Sequence, residues 1–198
     1  ATKDVQDAIL RDPRRASLVD VIDIRQWHYE KDSSLYAPKG GLNLAPRQLA
    51  RLYRPKGSSF SQVYRAVREY RDRYPGKAVV YSAGRYDAFA WAAFMAGGSL
   101  AAIPAVSDPR FLTEASGTKP ADTKNAAPGV YLLSDPGKAY ILYLDGASQA
   151  TLDLSGVDGR LVVRRLDPRT GKMAPGTESI RGGKTVTLQS DHHPEVLW

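Results

Sequence analysis

A cluster of polar and aromatic side chains directly follows a stretch that predicts a buried β-strand. Residues 18–24 are mostly β-branched and apolar, which is typical of a strand covered on both faces in a parallel sheet. Arg25, Trp27, His28 and Glu30 come next. Guanidinium, imidazole and carboxylate groups can hydrogen-bond a polar ligand, and an indole can stack on a ring face. These are candidate site residues, against the alternative of a strand end packed on its neighbours with Glu30 in solvent.

A second cluster follows residues 77–82, which predict another buried strand. Tyr81 closes that strand, and Arg85 can bind a carboxylate through two parallel hydrogen bonds. Asp87 either caps the apolar helix predicted after it or belongs to the site. Tyr36 lies in a long loop between the two strands, and long loops often border a ligand cleft.

Several kinds of chemistry have no support in the sequence. The chain has no Cys, which excludes disulfides, thiolate metal sites and a Cys nucleophile. His192 and His193 are adjacent, so on a strand they would point to opposite faces, and no third ligand stands at a suitable spacing. A phosphate-binding glycine loop, a dinucleotide fingerprint and a serine-hydrolase elbow are all missing from the sequence. We therefore expect neither a metal nor a cofactor.

The net charge of +7 raises the question of a nucleic-acid partner. Residues 47–77 contain nine Lys or Arg with tyrosines among them. However, Val63, Val67 and Tyr70 recur at helical spacing, so the arginines are expected on the solvated face of a helix. No apolar run approaches the roughly 20 residues that a membrane span needs. We expect neither nucleic acid nor a membrane as a partner.

The first part of the chain has the alternating order of strands and helices that is typical of a parallel sheet. Val5, Ala8 and Ile9 predict a short helix over residues 4–12, and a longer helix is predicted over 60–74. A third short strand is expected at 99–104. Three strands are too few for a sheet buried on both faces, so further strands must come from elsewhere.

The last part of the chain has a different pattern. Residues 128–198 contain six or seven short apolar stretches of period two, separated by turn pairs such as Pro136-Gly137 and Asp145-Gly146. They predict an antiparallel β-sandwich. The whole net charge lies in residues 1–127, whereas 128–198 contain eight basic and eight acidic residues. We expect a domain boundary there, with residues 105–127 as a linker after a first domain of residues 1–104.

Three segments of this last part resemble a known family. Residues 130–144, 152–156 and 165–171 resemble the C-terminal β-sandwich of bacterial glycoside hydrolases related to apiosidases, a sandwich that carries the label of a collagen-binding domain. In that family the sandwich follows a (β/α)₈ barrel. Residues 19–28 resemble barrel strand six, and residues 77–98 resemble strand seven with its helix. The resemblance implies an α/β plus all-β fold, the C-terminal portion of a (β/α)₈ barrel followed by an antiparallel β-sandwich.

The resemblance also implies a function, hydrolysis of a plant or microbial polysaccharide or oligosaccharide by two carboxylates. The family's strand seven ends in a catalytic Glu, and Ala83 occupies that position here. This could reflect an engineered change, a non-hydrolytic relative, or an alignment shift that leaves Asp87 in the role, with His28 and Glu30 as further candidates. At least one carboxylate would lie outside this chain. The expected substrate-binding residues are Arg25, Trp27, His28, Tyr36, Tyr81 and Arg85.

The same resemblance implies partners and a location. A carbohydrate substrate and the N-terminal remainder of the barrel, in the same protein or a separate chain, are the expected partners. A periplasmic or secreted location is expected, although the sequence shows no signal peptide. The alternative is a non-catalytic module that binds carbohydrate or matrix through the sandwich.

Overall fold

The computed structural model describes residues 3–24, 34, 59–82, 86–123 and 127–198, without the side chains of Tyr86 and Asp87. The chain divides into two compact units, Ala1–Ala102 and Ile103–Trp198. The first unit is mixed α/β, and the second is rich in antiparallel β-structure. The described residues form no closed barrel.

The first unit contains four helices and two strands in its described part. They are α1 (Lys3–Arg11), α2 (Pro13–Ala16), β1 (Val21–Ile24), α3 (Phe60–Arg73), β2 (Ala78–Tyr81) and, after a 3₁₀ turn at Tyr86–Phe89, α4 (Ala90–Met95). The helix predicted over 60–74 is confirmed. Ser59 caps its start by accepting a hydrogen bond from the Gln62 N–H, and Val63, Val67 and Tyr70 are buried as their spacing predicts.

Strands β1 and β2 pair in parallel, with Ile22 opposite Val79 and Ile24 opposite Tyr81. These four side chains lie on one face and share a core with α3. The strands were expected to be covered on both faces, but the other face is only partly covered. Val21 at the start of β1 is 53 % exposed. The two described strands therefore leave apolar surface on one side of the sheet.

The strand expected at residues 99–104 does not form. The Ser99 N–H donates a 2.6 Å hydrogen bond to the Val79 carbonyl, but the chain does not continue along β2. Leu100 has a left-handed backbone, with φ of 56°, and is 94 % exposed. A left-handed residue interrupts an extended chain, so residues 101–106 carry no regular structure.

The second unit begins before the expected boundary. Residues 105–127, expected to be a linker, contain helix α5 (Arg110–Ala115) and strand β3 (Lys119–Ala121), which pairs with the next strand. Eight further strands follow in the described part: β4 (Val130–Asp135), β5 (Ala139–Leu144), β6 (Gln149–Asp153), β7 (Arg160–Val163), β8 (Arg165–Leu166), β9 (Glu178–Arg181), β10 (Thr185–Gln189) and β11 (Glu195–Leu197).

These strands form three antiparallel sheets around one core. A five-stranded sheet has the order β3-β4-β5-β11-β8, and β6 pairs with β10 and β7 with β9. Leu142 of the large sheet, Leu152 of β6 and Val163 of β7 belong to the same buried cluster, so the three sheets share one hydrophobic core. The expected turns form too, and Gly137 and Gly146 adopt the positive φ that their turn pairs predict.

Candidate functional site

The carboxyl ends of β1 and β2 lie at the same edge of the sheet because the strands are parallel and in register. Ile24 and Tyr81 are the last paired residues, and the Ser82 N–H donates a 3.3 Å hydrogen bond to the Ile24 carbonyl. Ile24 and Ser82 therefore lie next to each other at this edge of the sheet. In open and closed α/β sheets this edge is where ligands bind.

Asp23 and Ser82 form a polar pair at this edge. The Ser82 hydroxyl donates a 2.6 Å hydrogen bond to Oδ1 of Asp23, and Ser82 is exposed. Asp23 lies between the buried Ile22 and Ile24, so strand alternation directs it to the face away from the core. A carboxylate held in this way can accept hydrogen bonds from ligand hydroxyl groups or take a proton. Ser82 was among the residues expected to close the second strand, whereas Asp23 was not singled out, although the alternation in β1 could have found it.

Tyr81, expected at the cleft wall, lies in the core instead. It is 8 % exposed, belongs to the cluster around α3, and its ring meets that of Phe89 edge to face at 6.2 Å between centroids. The reason is again alternation, since Tyr81 lies on the same face as Val79. Its immediate neighbour Ser82 takes the accessible position.

The other predicted site residues lie outside the described part of the chain. These are Arg25, Trp27, His28, Glu30, Tyr36, Ala83 and Arg85. Asp87 lies within the 3₁₀ turn at Tyr86–Phe89, but its side chain is not described.

A buried polar cluster joins α1 to α3. Lys3 Nζ lies 2.7 Å from Oδ2 of Asp7 and 2.7 Å from Oε1 of Glu69, and the Tyr70 hydroxyl donates a 2.6 Å hydrogen bond to Asp7 Oδ1. Burial by itself would raise the pKa of Asp7. The hydrogen bonds from Lys3 and Tyr70, with the charges of Lys3 and Arg73, outweigh burial and hold this pKa below 3.8. Because these groups satisfy one another, the cluster fastens two helices rather than forming an open site.

A second polar network is centred on Arg165 in the C-terminal unit. Its Nη1 donates to both carboxylate oxygens of Glu195, at 3.1 and 3.2 Å, and its Nε lies 3.3 Å from Asp191. Glu195 is 2 % exposed and also accepts the Asp191 N–H at 3.0 Å. Such a buried carboxylate is tolerated because it is paired and hydrogen-bonded.

An open cavity of about 430 Å³ lies beside this network, with His192 and His193 in its lining. Both histidines are exposed. In the part of the chain that the structure describes, no group of three or more His, Asp or Glu side chains could hold a metal ion.

Two arginines of α3 have acidic neighbours one turn away on the helix. Arg73 lies 3.3 Å from Glu69, and Arg68 lies 3.6 Å from Asp72. The acidic partners offset part of the positive charge that the sequence places in this region. Among the described helices, none has the length and apolar character to cross a membrane.

Residues 1–118 match the family DUF6298, described as a domain of unknown function. The match spans more than half of the chain, so the chain belongs to this family. It covers the whole first unit, including β1 and β2, and extends through α5 of the second unit. No curated protein matches the chain.

One solved structure, a protein described as a glycoside hydrolase, is similar with a TM-score of 0.40 and 13 % sequence identity. The match covers 94 % of this chain and 54 % of that protein, so the chain spans about half of its length. A likeness at this level is a distant structural similarity and does not establish a shared fold or activity.

Proposed function

We propose that this chain is the C-terminal part of a carbohydrate-active enzyme that hydrolyses glycosidic bonds. The observation that carries the proposal is the parallel pair β1–β2, with the half-buried Asp23 and the exposed Ser82 hydrogen-bonded at its carboxyl edge. This is the edge at which α/β enzymes assemble their active sites. The sequence places aromatic and hydrogen-bonding residues directly after both strands, a composition suited to sugar rings and their hydroxyl groups.

The short stretch of chain between each strand end and the residues that follow it supports their placement in the proposed cleft. His28 comes four residues after Ile24, and Arg85 four residues after Tyr81. At no more than about 3.6 Å per residue, neither Cα can lie farther than about 14 Å from the end of its strand. In the proposed cleft Trp27 stacks on a sugar ring, while Arg25, His28 and Arg85 bind its polar groups. Tyr36 belongs to the loop at its border.

The proposed mechanism uses two carboxylates, about 5–10 Å apart, on either side of the scissile bond. At least one of them lies outside this chain. Asp23 binds a substrate hydroxyl, and the Ser82 hydroxyl holds its carboxylate in position. Ala83 stands where the resembling family has its catalytic Glu, which makes Asp87 and Glu30 the candidate acids within this chain.

The finer architecture belongs to the same proposal. β1 and β2 would be late strands of a (β/α)₈ barrel, completed by strands outside this chain, and the second unit would be its β-sandwich. The second face of β1–β2 is partly exposed, and Val21 leaves apolar surface in water unless further structure packs on it. This exposure supports a sheet that is covered by additional parts of a barrel. A periplasmic or secreted location follows only from the resemblance.

A glycan-panel assay of the protein together with the proposed remainder of the barrel, whether that belongs to the same protein or to a separate chain, tests this proposal. Release of reducing sugar is expected from at least one plant or microbial glycan. Asp23→Asn should reduce kcat/KM at least tenfold, in line with the loss of a hydrogen bond to a charged group, about 1.5–3 kcal/mol. Asp20→Asn is the matched control, since Asp20 is an exposed carboxylate before the opposite end of β1. Ala83→Glu is assayed in parallel.

The outcomes separate the two classes of function. Absence of hydrolysis in both the natural sequence and Ala83→Glu overturns the proposal. Glycan binding without hydrolysis in both also overturns it, in favour of a non-catalytic carbohydrate-binding module. Equal effects of Asp23→Asn and Asp20→Asn would show that the carboxyl edge of β1–β2 is not the substrate site.

A further inference from the structure

The hydrophobic core of the C-terminal unit opens into a cavity of about 200 Å³. Its inner wall is apolar and comes from all three sheets: Leu142, Leu152, Val163, Leu188 and Leu197. All five side chains are buried.

Four charged residues also line this cavity. Lys138, Arg160 and Arg164 supply three positive charges, and Glu114 supplies one negative charge. Lys138 lies 3.3 Å from a carboxylate oxygen of Asp135. In contrast, within the described part of the chain the side chains of Arg160 and Arg164 form neither a hydrogen bond nor an ion pair. The charge of Arg164 acts on the Asp108 carboxylate, so Lys138 and Arg164 both have acidic neighbours. The guanidinium groups of Arg160 and Arg164 still carry N–H donors that can bind an anion.

Trp198 holds one of these guanidinium groups in place. Cζ of Arg164 lies 4.9 Å from the centroid of the Trp198 ring, and the indole N–H donates a 2.9 Å hydrogen bond to Oε2 of Glu114. A guanidinium stacked on a ring keeps its N–H donors in its own plane, free to bind a carboxylate. The same indole hydrogen bond occupies the Glu114 carboxylate, the one acidic group in the lining.

We propose that this cavity binds a small carboxylate with an aryl or short alkyl body. The apolar wall takes the body, and Arg164 with Arg160 binds the carboxylate at the mouth. The volume fits this class, since an apolar cavity of about 150 Å³ is enough for benzene. The wall does not suit a sugar, because each buried hydroxyl group would lose its hydrogen bonds to water without a replacement. The site is independent of the cleft proposed for glycan hydrolysis.

Titration of the 198-residue chain with phenylacetate and with the uncharged phenylacetamide tests this proposal. Binding is measured by calorimetry and by the shift of the Trp198 indole N–H signal in ¹H–¹⁵N spectra. We expect saturable binding of phenylacetate that moves this signal. Phenylacetamide should bind about tenfold more weakly, because it cannot form the charge-assisted bonds. Arg160→Gln and Arg164→Gln should each reduce this preference for the acid.

Arg169→Gln is the matched control, since Arg169 lines the other cavity of this unit and should leave the affinity unchanged. Leu161→Phe extends a partly buried wall residue into the space and should abolish binding of both compounds, with thermal melting as the check on folding. Lack of saturable binding at millimolar phenylacetate overturns the proposal. Equal affinities for acid and amide also overturn it, as do equal effects of Arg164→Gln and Arg169→Gln. Preferential binding of an apolar peptide would identify a different class of occupant.

Discussion

Asp7 offers the sharpest test of what fastens α1 to α3. Asp7 is 7 % exposed, and its carboxylate accepts hydrogen bonds from Lys3 at 2.7 Å and from Tyr70 at 2.6 Å. In Asp7→Asn, Tyr70 can still donate to the amide oxygen, but the amide NH₂ group faces the Lys3 ammonium. Lys3 keeps Glu69 at 2.7 Å, so its charge is not left alone. We therefore expect a loss of about 2–3 kcal/mol in the unfolding free energy of this unit, below the roughly 3–5 kcal/mol for an unpaired buried charge.

Hydrogen exchange measured by mass spectrometry at increasing urea concentration reads this effect on peptides of α1 and α3. Peptides of the C-terminal unit serve as an internal reference and should not change. Asp20→Asn, an exposed carboxylate of the same unit, should change the free energy by less than about 0.5 kcal/mol. A loss in Asp7→Asn no larger than in Asp20→Asn would refute the reasoning.

Three further predictions concern acid stability and the C-terminal unit. Folding lowers the pKa of Asp7, so the stabilisation that its carboxylate contributes should be fully present above pH 3.8 and lost as the pH falls through the folded-state pKa. In urea titrations between pH 6 and pH 2, the unfolding free energy of Asp7→Asn should therefore fall less steeply with acid than that of the natural sequence, which flattens the acid limb of the stability curve. Gly171→Ala should unfold at much lower urea than Gly176→Ala in circular dichroism, since both have positive φ but only the new Cβ at 171 meets the Ala105 carbonyl. Arg165→Met should cost about 3 kcal/mol in the same measurement, because it leaves Glu195 buried without its cation.

Each of these has a result that would contradict it. An acid limb that is identical in Asp7→Asn and the natural sequence would show that another group controls it. Equal urea midpoints for the two glycine variants would show that the chain near Ala105 yields at little cost. A urea midpoint for Arg165→Met equal to that of the natural sequence would mean that the Asp191 N–H and solvent satisfy the Glu195 carboxylate without a cation. If stability is lost as expected, Arg165→Lys should recover part of the loss.

The spacing of apolar residues was sufficient to predict an element wherever that element packs one face on a single core. The stripe of Val63, Val67 and Tyr70 predicted α3, because a long helix on one core buries the residues that share its face. Turn pairs predicted most strands of the second unit, because glycine with positive φ lies at several of the reversals, among them Gly137 and Gly146. β9 was missed because it is largely exposed, so it carries no apolar alternation.

The differences between the predicted and the observed structure come from contacts between residues that are far apart in the sequence. Val5, Ala8 and Ile9 were the expected inner face of α1, yet the buried residues are Lys3, Asp7 and Leu10. Two charged residues are buried there because Glu69 and Tyr70 of α3 compensate them, and those partners are more than 60 positions away. Local pattern cannot show such compensation.

The sequence by itself determined the two kinds of structure, the parallel pair of strands and the edge at which a site should lie. Only the tertiary structure decided which residues of that edge are accessible. Register and the packing of α3 turn Tyr81 into the core and leave Asp23 and Ser82 outside. The same holds for the cavity beside Trp198, whose walls come from strands far apart in the chain. The physical reason is that composition and spacing specify which residues prefer burial, whereas the three-dimensional packing specifies which of them meet.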